Sequence, residues 1–232
     1  MNHYIDGETI NMSNFDILYP SPSYQDYIEC IYEFCKNQKL SLILKGSLAI
    51  GEATKYSDVD LIILGDVSDS IINEILKLYD EPIMTNFTEN PKGILILVYK
   101  DLISVDLDIR EAISSDDLLN SKVLLKYDSN FIINNKIIRK QITSGYLPER
   151  PLWYKTLRLV HRAVTKYLSQ KTDVAYGLLT EIKESFGMLE INEPDFNNNF
   201  EDDIQRVFNT FCMKFDVDTK IKTLFKSLFN NF

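Results

Sequence analysis

The chain has 232 residues, of which 45% are hydrophobic and 25% charged, and its formal net charge is −9. This composition is ordinary for a globular protein, and the length allows two modest domains or one large one. The acidic balance argues against a non-specific nucleic-acid binder, which needs a basic surface, and favours a small or cationic partner.

Hydropathy and cysteine content exclude two further classes. No apolar run reaches the length of a membrane span, and the first residues lack the pattern of a secretion signal, so we expect a cytoplasmic protein without a membrane partner. The three cysteines, Cys30, Cys35 and Cys212, are too few and too irregularly spaced for a disulfide framework or a zinc site.

The N-terminal half predicts alternating helices and strands after an irregular lead-in of about twenty residues. Three segments have helical apolar spacing after a serine or an acidic residue: 23–37, 71–79 and a short one at 118–121. Six apolar runs predict strands, at 40–44, 58–64, 84–87, 94–99, 102–109 and 123–128.

Two of these strands, 94–99 and 102–109, are separated by only two residues, which predicts a hairpin with a tight turn. In the second strand, Asp106, Asp108 and Arg110 alternate with apolar residues, so the three polar side chains share one face. Because the other face is apolar, this polar face is either solvated or part of a site.

The C-terminal part of the chain is helical in its periodicity. Residues 134–148 form a polar stretch of lower complexity, and we place a domain boundary at its end, which gives domains 1–148 and 149–232. His161 is expected to be a packing residue, because it lies among apolar residues at helical spacing. Four helices are predicted, at 152–168, 174–186, 200–215 and 219–229.

The stretch 42–64 carries the clearest chemical pattern: a strand, a Gly46-Ser47 turn, a loop and a second strand with Asp58 and Asp60. Alternation along the second strand puts both carboxylates on one face, where they repel each other unless a cation lies between them. Hard divalent ions such as Mg²⁺ take oxygen ligands of this kind. The turn offers N–H groups and a hydroxyl to a phosphate, so the pattern points to phosphoryl or nucleotidyl transfer.

This pattern resembles the nucleotidyltransferase superfamily that includes DNA polymerase β, and the order of elements resembles the lincosamide and aminoglycoside nucleotidyltransferases. The resemblance implies an α+β fold, with a nucleotidyltransferase-like mixed sheet and flanking helices, followed by a helical C-terminal domain that binds the substrate. The residues that carry the resemblance are Gly46, Ser47, Ala49, Gly51 and the run Ser57-Asp58-Val59-Asp60-Leu61.

The resemblance also implies a reaction: transfer of a nucleoside monophosphate from an NTP to a hydroxyl of a small molecule, such as an aminoglycoside or lincosamide in antibiotic resistance. Two Mg²⁺ ions would be held by Asp58, Asp60 and a third carboxylate. Gly46 and Ser47 would hold the triphosphate. Many family members carry an arginine where Ile50 stands, and Lys45 or Lys55 is the candidate substitute.

Asp106 and Asp108 compete for the role of the third carboxylate, which either shares a metal ion or takes the proton of the acceptor. The antibiotic-modifying pattern places its acid near Asp106, whereas the polymerase-like pattern of acid, apolar residue and arginine favours Asp108 with Arg110. We choose Asp106 as the catalytic residue and keep Asp108 as a candidate metal ligand.

Two other functions remain open at this point. A nucleotidyltransferase of the toxin–antitoxin type would use the same chemistry on a protein or on a tRNA end. A regulatory module would bind the nucleotide without transfer, although the matched carboxylates argue against it.

Overall fold

The structure is a computed structural model, and it describes residues 16–89, 92–134, 137–139 and 150–232. Most of the predicted lead-in, the turn at residues 90–91 and much of the 134–148 stretch lie outside the described residues. The chain divides into two compact units, residues 1–147 and 148–232, which we describe separately. The predicted domain boundary falls in the undescribed segment 140–149 and stays a prediction.

The N-terminal unit contains a mixed sheet. The strands in the described residues are β1 (Ser41–Lys45), β2 (Asp58–Leu64), β3 (Met84–Glu89), β4 (Lys92–Val98), β5 (Ser104–Ala112), β6 (Lys122–Leu125) and β7 (Ile138–Arg139). They pair in the order β3-β4-β5-β2-β1-β6, with β7 beside β5, and β2 and β5 are parallel whereas the other pairs are antiparallel. The predicted α+β class, with a mixed sheet and flanking helices, is confirmed.

One face of this sheet forms the main hydrophobic core. Three helices contribute to it: α1 (Pro22–Asn37), α2 (Gly46–Ile50) and α3 (Asp69–Ile75). Alternate strand residues point into this core and are almost fully buried: Leu42, Leu44, Val59, Leu61, Ile63, Val105, Leu107 and Ile109. The alternation sends the intervening residues, including the predicted site carboxylates, to the opposite face.

Several predicted boundaries in this unit are wrong; helix α3, for example, ends at Ile75 and not at residue 79. Helix α1 begins at Pro22 and not at Ser23, because proline is preset for the first helical turn, and Ser21 takes the cap position. The β4–β5 connection spans residues 99–103 instead of two residues, since Val98 already pairs with Ser104. Leu102 adopts a positive φ of 71° in this loop.

Two other parts of this unit also differ from the expectation. The predicted short helix at 118–121 is a 3₁₀ turn at Asp116–Leu118. Strand β7 was missed, because only two residues pair with β5 and they lie within the polar stretch 134–148.

The C-terminal unit consists of helices, as predicted: α4 (Leu152–Leu168), α5 (Thr172–Met188), α6 (Phe200–Lys214) and α7 (Thr219–Phe229). Its core is rich in aromatic rings; Tyr167, for example, stacks on Phe200 with 4.3 Å between the centroids. His161 is fully buried and meets Phe225 edge-on, which suits a packing role. Among the described residues, none of the helices is long and apolar enough to cross a membrane.

Candidate active site

The pairing of three adjacent strands places the predicted site residues in one row. Lys45 on β1 lies opposite Asp60 on β2, and Asp60 lies opposite Asp106 on β5. Directly paired residues project to the same side of a sheet, so the ammonium and both carboxylates share one face. Asp58 and Asp108 lie two residues away along the same strands and project to this face as well.

Asp60 packs directly against the start of helix α2. Gly46 has a φ of +66°, and a Cβ added there would overlap the Oδ2 atom of Asp60. Only glycine meets both requirements, since other residues adopt this backbone conformation at a cost and carry a Cβ. The glycine therefore allows the Asp60 carboxylate to lie beside the backbone of the Gly46-Ser47 pair.

The predicted turn and loop after β1 is wrong in one respect, because residues Gly46–Ile50 form a short helix. Leu48 and Ala49 are buried in the main core, and the helical turn is what brings both of them onto it. Gly51 ends the helix in the left-handed conformation, with a φ of 77°.

A hydrogen-bonded turn fixes the start of β2 and with it Asp58. The hydroxyl of Tyr24 on α1 donates to the carbonyl oxygen of Ser57 at 2.7 Å. The backbone N–H of Thr54 donates to the Ser57 hydroxyl at 2.9 Å. Burial, together with the charges of Asp58 and Asp101, raises the pKa of Tyr24 well above its usual value, so this hydroxyl remains a donor.

Asp108 is held by two arginines. Arg110 donates to its Oδ2 from Nε at 2.8 Å and approaches it with Nη2 at 2.6 Å. Arg139 on β7 donates from Nε to both carboxylate oxygens at 3.0 Å. Asp108 is 5% exposed and Arg110 is 4% exposed. The structure therefore engages Asp108 in a buried ion pair on the candidate site's face.

Asp117 is the residue that sequence reasoning missed. Its carboxylate accepts hydrogen bonds from Lys45 Nζ and from Arg110 Nη1, each at 2.6 Å. The backbone N–H and the hydroxyl of Ser114 also donate to it, at 3.1 and 2.8 Å. The run 114–117 has the residue pattern of a helix cap, and the sequence contains no signal that this acid meets a lysine 72 positions earlier.

The charge state of Asp117 follows from these contacts. Burial alone would raise its pKa, but the hydrogen bonds from Lys45 and Ser114 and the charge of Arg110 outweigh burial and hold the pKa well below its usual value. Asp117 is therefore a carboxylate at neutral pH and pairs with both cations.

The two lysines considered for phosphate binding have different surroundings. Lys45 projects to the face of the carboxylates, and its side chain keeps 30% of its exposure while paired with Asp117. Lys55 lies over the ring of Tyr56, with its Nζ 4.8 Å from the centroid, in an exposed loop. Of the two lysines, Lys45 is therefore the better candidate for contacting a phosphate on this face.

The donor chemistry of this face suits a divalent cation. Asp58, Asp60 and Asp106 present carboxylate oxygens on adjacent parallel strands, and Mg²⁺ takes such hard ligands. In the described residues, however, no three His, Cys, Asp or Glu side chains form a group that could hold a metal ion by itself. An ion bound here would therefore need further oxygens from substrate or water, as Mg²⁺ usually does.

Comparison with known protein families gives a match that lies in the N-terminal unit. Residues 28–139, which include the whole row and Asp117, match the family model described as a nucleotidyltransferase domain. Residues 28–139 are therefore similar to a nucleotidyltransferase domain. The expected likeness to lincosamide and aminoglycoside enzymes in particular stays a prediction.

Curated proteins and solved structures provide two further comparisons. No curated protein matches the chain. Among solved structures, the chain is similar to the CCA-adding enzyme of Thermotoga maritima, complexed with tRNA, at 12% identity and a TM-score of 0.35. The match covers 96% of this chain and 54% of that one, so the chain spans about half the length of the CCA-adding enzyme.

The contact between Gly46 and Asp60 gives a first prediction. Gly46→Ala is expected to lower the free energy of unfolding by more than the roughly 1–2 kcal/mol of a left-handed alanine, because the Asp60 carboxylate must also move. Gly51→Ala is the matched control, since Gly51 also has a positive φ but only Leu18 Cδ1 lies near its added Cβ, at 3.7 Å. Urea titration of both variants measures the difference, and equal losses would contradict the close approach of Asp60.

Proposed function

We propose that this protein transfers a nucleoside monophosphate from an NTP to a hydroxyl group, with Mg²⁺ as the metal. The observation that carries the proposal is the row of Lys45, Asp60 and Asp106 across three paired strands, inside the segment that matches a nucleotidyltransferase domain. A cation and several carboxylates on one face suit a substrate that brings both a polyphosphate and its metal ions.

The proposed roles follow from the positions. Asp58, Asp60 and Asp106 would hold the metal, with two ions as the expected number, and the metal would neutralise charge on the triphosphate. The backbone N–H groups of Gly46 and Ser47, together with the Ser47 hydroxyl, would hold the triphosphate next to Asp60. Asp106 would also orient the acceptor hydroxyl and take its proton. The hydroxyl oxygen then bonds to the α-phosphorus as the bond to pyrophosphate breaks.

The contacts support Asp106 over Asp108 as the third carboxylate. Asp108 is bound by Arg110 and Arg139 and is 5% exposed, so a metal ion would have to compete with two guanidinium groups. Asp106 is more exposed and lies directly opposite Asp60, the residue that packs on Gly46. Asp108 then serves the site indirectly, as an anion that anchors the arginines.

For the acceptor we propose a small, hydroxylated and cationic molecule of the aminoglycoside or lincosamide kind. The supporting observation is the net charge of −9, which attracts a cationic acceptor. The helical unit, residues 148–232, is the proposed substrate-binding domain. Two alternatives remain. The acceptor could be a protein or a tRNA, or the protein could bind a nucleotide without catalysis.

The test is pyrophosphate release from each of the four NTPs, with and without Mg²⁺, against a panel of aminoglycosides and lincosamides. We expect release that needs both Mg²⁺ and an acceptor, and Asp58→Asn is expected to abolish it without unfolding the protein. Asp128→Asn is the matched control, because Asp128 is exposed and pairs only with Lys126 among the ion pairs of the described residues.

Three other outcomes would contradict the proposal or favour one of the alternatives. An Asp58→Asn variant with full activity would overturn the site. Incorporation of α-labelled nucleotide only into protein or RNA of a cell lysate would replace the small acceptor with the macromolecular one. Metal-dependent NTP binding without product, for every acceptor and in lysate, would favour the regulatory module.

A further inference from the structure

Five charged side chains form one continuous network that begins within the candidate site, at Lys45. We call it the ion-pair network, and its members alternate in sign: Arg139, Asp108, Arg110, Asp117 and Lys45. It connects β7, β5, the 114–118 segment and the last residue of β1. Each neighbouring pair has a contact of 2.6–3.0 Å.

Burial differs sharply along this network. The side chains of Asp108, Arg110 and Asp117 keep only 4–7% of their exposure, whereas the two ends, Lys45 and Arg139, keep 30% and 23%. A dissolved ligand therefore reaches the network at its ends. The Lys45 end lies next to Gly46 in sequence and opposite Asp60 on the sheet.

Lys45 keeps the capacity to bind an anion. Three cations face two carboxylates in the network, and the further carboxylates on the same face, Asp60 and Asp106, are those that bound metal ions would neutralise. Asp117 divides its charge between Lys45 and Arg110, at the same distance of 2.6 Å. An ammonium carries three N–H donors, and the hydrogen bond to Asp117 uses one of them.

We propose that Asp117 is a positioning residue for nucleotide binding, which acts through Lys45 by holding its ammonium beside the triphosphate. The proposal rests on the proposed function and deepens it. A lysine is a flexible point charge with four rotatable carbons, so it contributes little to a binding site unless something fixes it. Asp117 is itself fixed by Arg110 and by both donors of Ser114.

The test is a double-mutant cycle on Lys45 and Asp117, with KM and kcat measured for the NTP that the wild type uses best. Asp117→Asn and Lys45→Gln are each expected to raise KM roughly tenfold, as for the loss of one charge-assisted hydrogen bond, with kcat changed by less than about twofold. The double variant is expected to resemble Lys45→Gln alone within about twofold, because Asp117 acts only through Lys45.

A second pair of variants covers the case in which Asp117→Asn does not fold. Ser114→Ala removes one donor to Asp117, at 2.8 Å, and leaves the carboxylate its other partners. It should raise KM by about two- to threefold with Lys45 present and leave KM unchanged in the Lys45→Gln background. Lys126 and Asp128, an ion pair of 2.7 Å elsewhere in the unit, provide the control cycle with no effect on KM.

The outcomes distinguish failure of the positioning role of Asp117 from failure of the proposed nucleotidyl transfer. An active wild type whose KM does not respond to Asp117→Asn or Ser114→Ala overturns the positioning role alone. The same holds if the effects of Lys45→Gln and Asp117→Asn multiply, or if kcat falls as much as KM rises, since both results mean a general structural role. A wild type that releases no pyrophosphate from any NTP overturns the proposed function and the positioning role together.

Discussion

Asp106→Asn is expected to lower nucleotidyl transfer by at least about 10²–10³-fold, the range for loss of one group that stabilises developing charge in an active site. The substitution keeps the size of the side chain and removes the negative charge that would hold a metal ion or accept a proton. Asp106 projects to the face opposite the main core, so the free energy of unfolding should change by less than about 1 kcal/mol.

Asp108→Asn is the matched variant, two residues further along the same strand. It leaves Arg110 without one buried partner, so the expected loss is in stability, by about 3 kcal/mol or more, and not mainly in chemistry. For each variant, a transfer assay gives the rate of nucleotidyl transfer and a urea titration gives the free energy of unfolding. The assignment of Asp106 would be contradicted if Asp108→Asn abolished transfer in a fully folded protein while Asp106→Asn remained active.

Arg110→Met is expected to produce the largest loss of stability in the N-terminal unit, about 3–5 kcal/mol, because it breaks a buried ion pair on one side only. Arg110 is the centre of the ion-pair network and bridges Asp108 to Asp117, with contacts of 2.6 Å to each. Methionine fills similar volume but leaves two carboxylates in a region that excludes water. Arg110→Lys should lower the free energy of unfolding by less than Arg110→Met does. It should not restore the wild-type value, since an ammonium cannot bridge both acids with fixed geometry.

The control for this prediction is Arg206→Met on α6. Arg206 also donates a hydrogen bond of 2.6 Å, to the carbonyl oxygen of Asp195, but it does so at an exposed position. Its replacement should change stability by less than about 1 kcal/mol. Amide hydrogen exchange of β2 and β5 provides the local readout for Arg110→Met, and unchanged protection in these strands would contradict the central place of Arg110.

Much of the fold follows from local periodicity in the sequence. Strand β2 and helices α4 and α7 have the predicted bounds, because apolar spacing within one element decides them. Errors occur where distant contacts decide the conformation. Gly46–Ile50 is a helix because Leu48 and Ala49 are buried in a core formed by other elements.

The candidate site was predictable to the same extent. The spacing of Asp58 and Asp60 on one strand, and of Asp106 on another, indicates carboxylates on a shared face once the two strands are neighbours. The sequence does not contain the pairing itself, in which Asp60 lies opposite both Lys45 and Asp106. Nor could it predict Asp117 or Arg139 as partners, since each meets its counterpart only through the tertiary fold.

The most direct test of nucleotidyl transfer follows the two ends of the triphosphate separately. The wild-type protein is incubated with Mg²⁺, an accepted acceptor and NTP labelled at either the α- or the γ-phosphorus. The account predicts that the α-label moves to the acceptor while the γ-label leaves as pyrophosphate, and that Asp106→Asn stops both. Transfer of the γ-label to the acceptor, or release of inorganic phosphate in place of pyrophosphate, would contradict it.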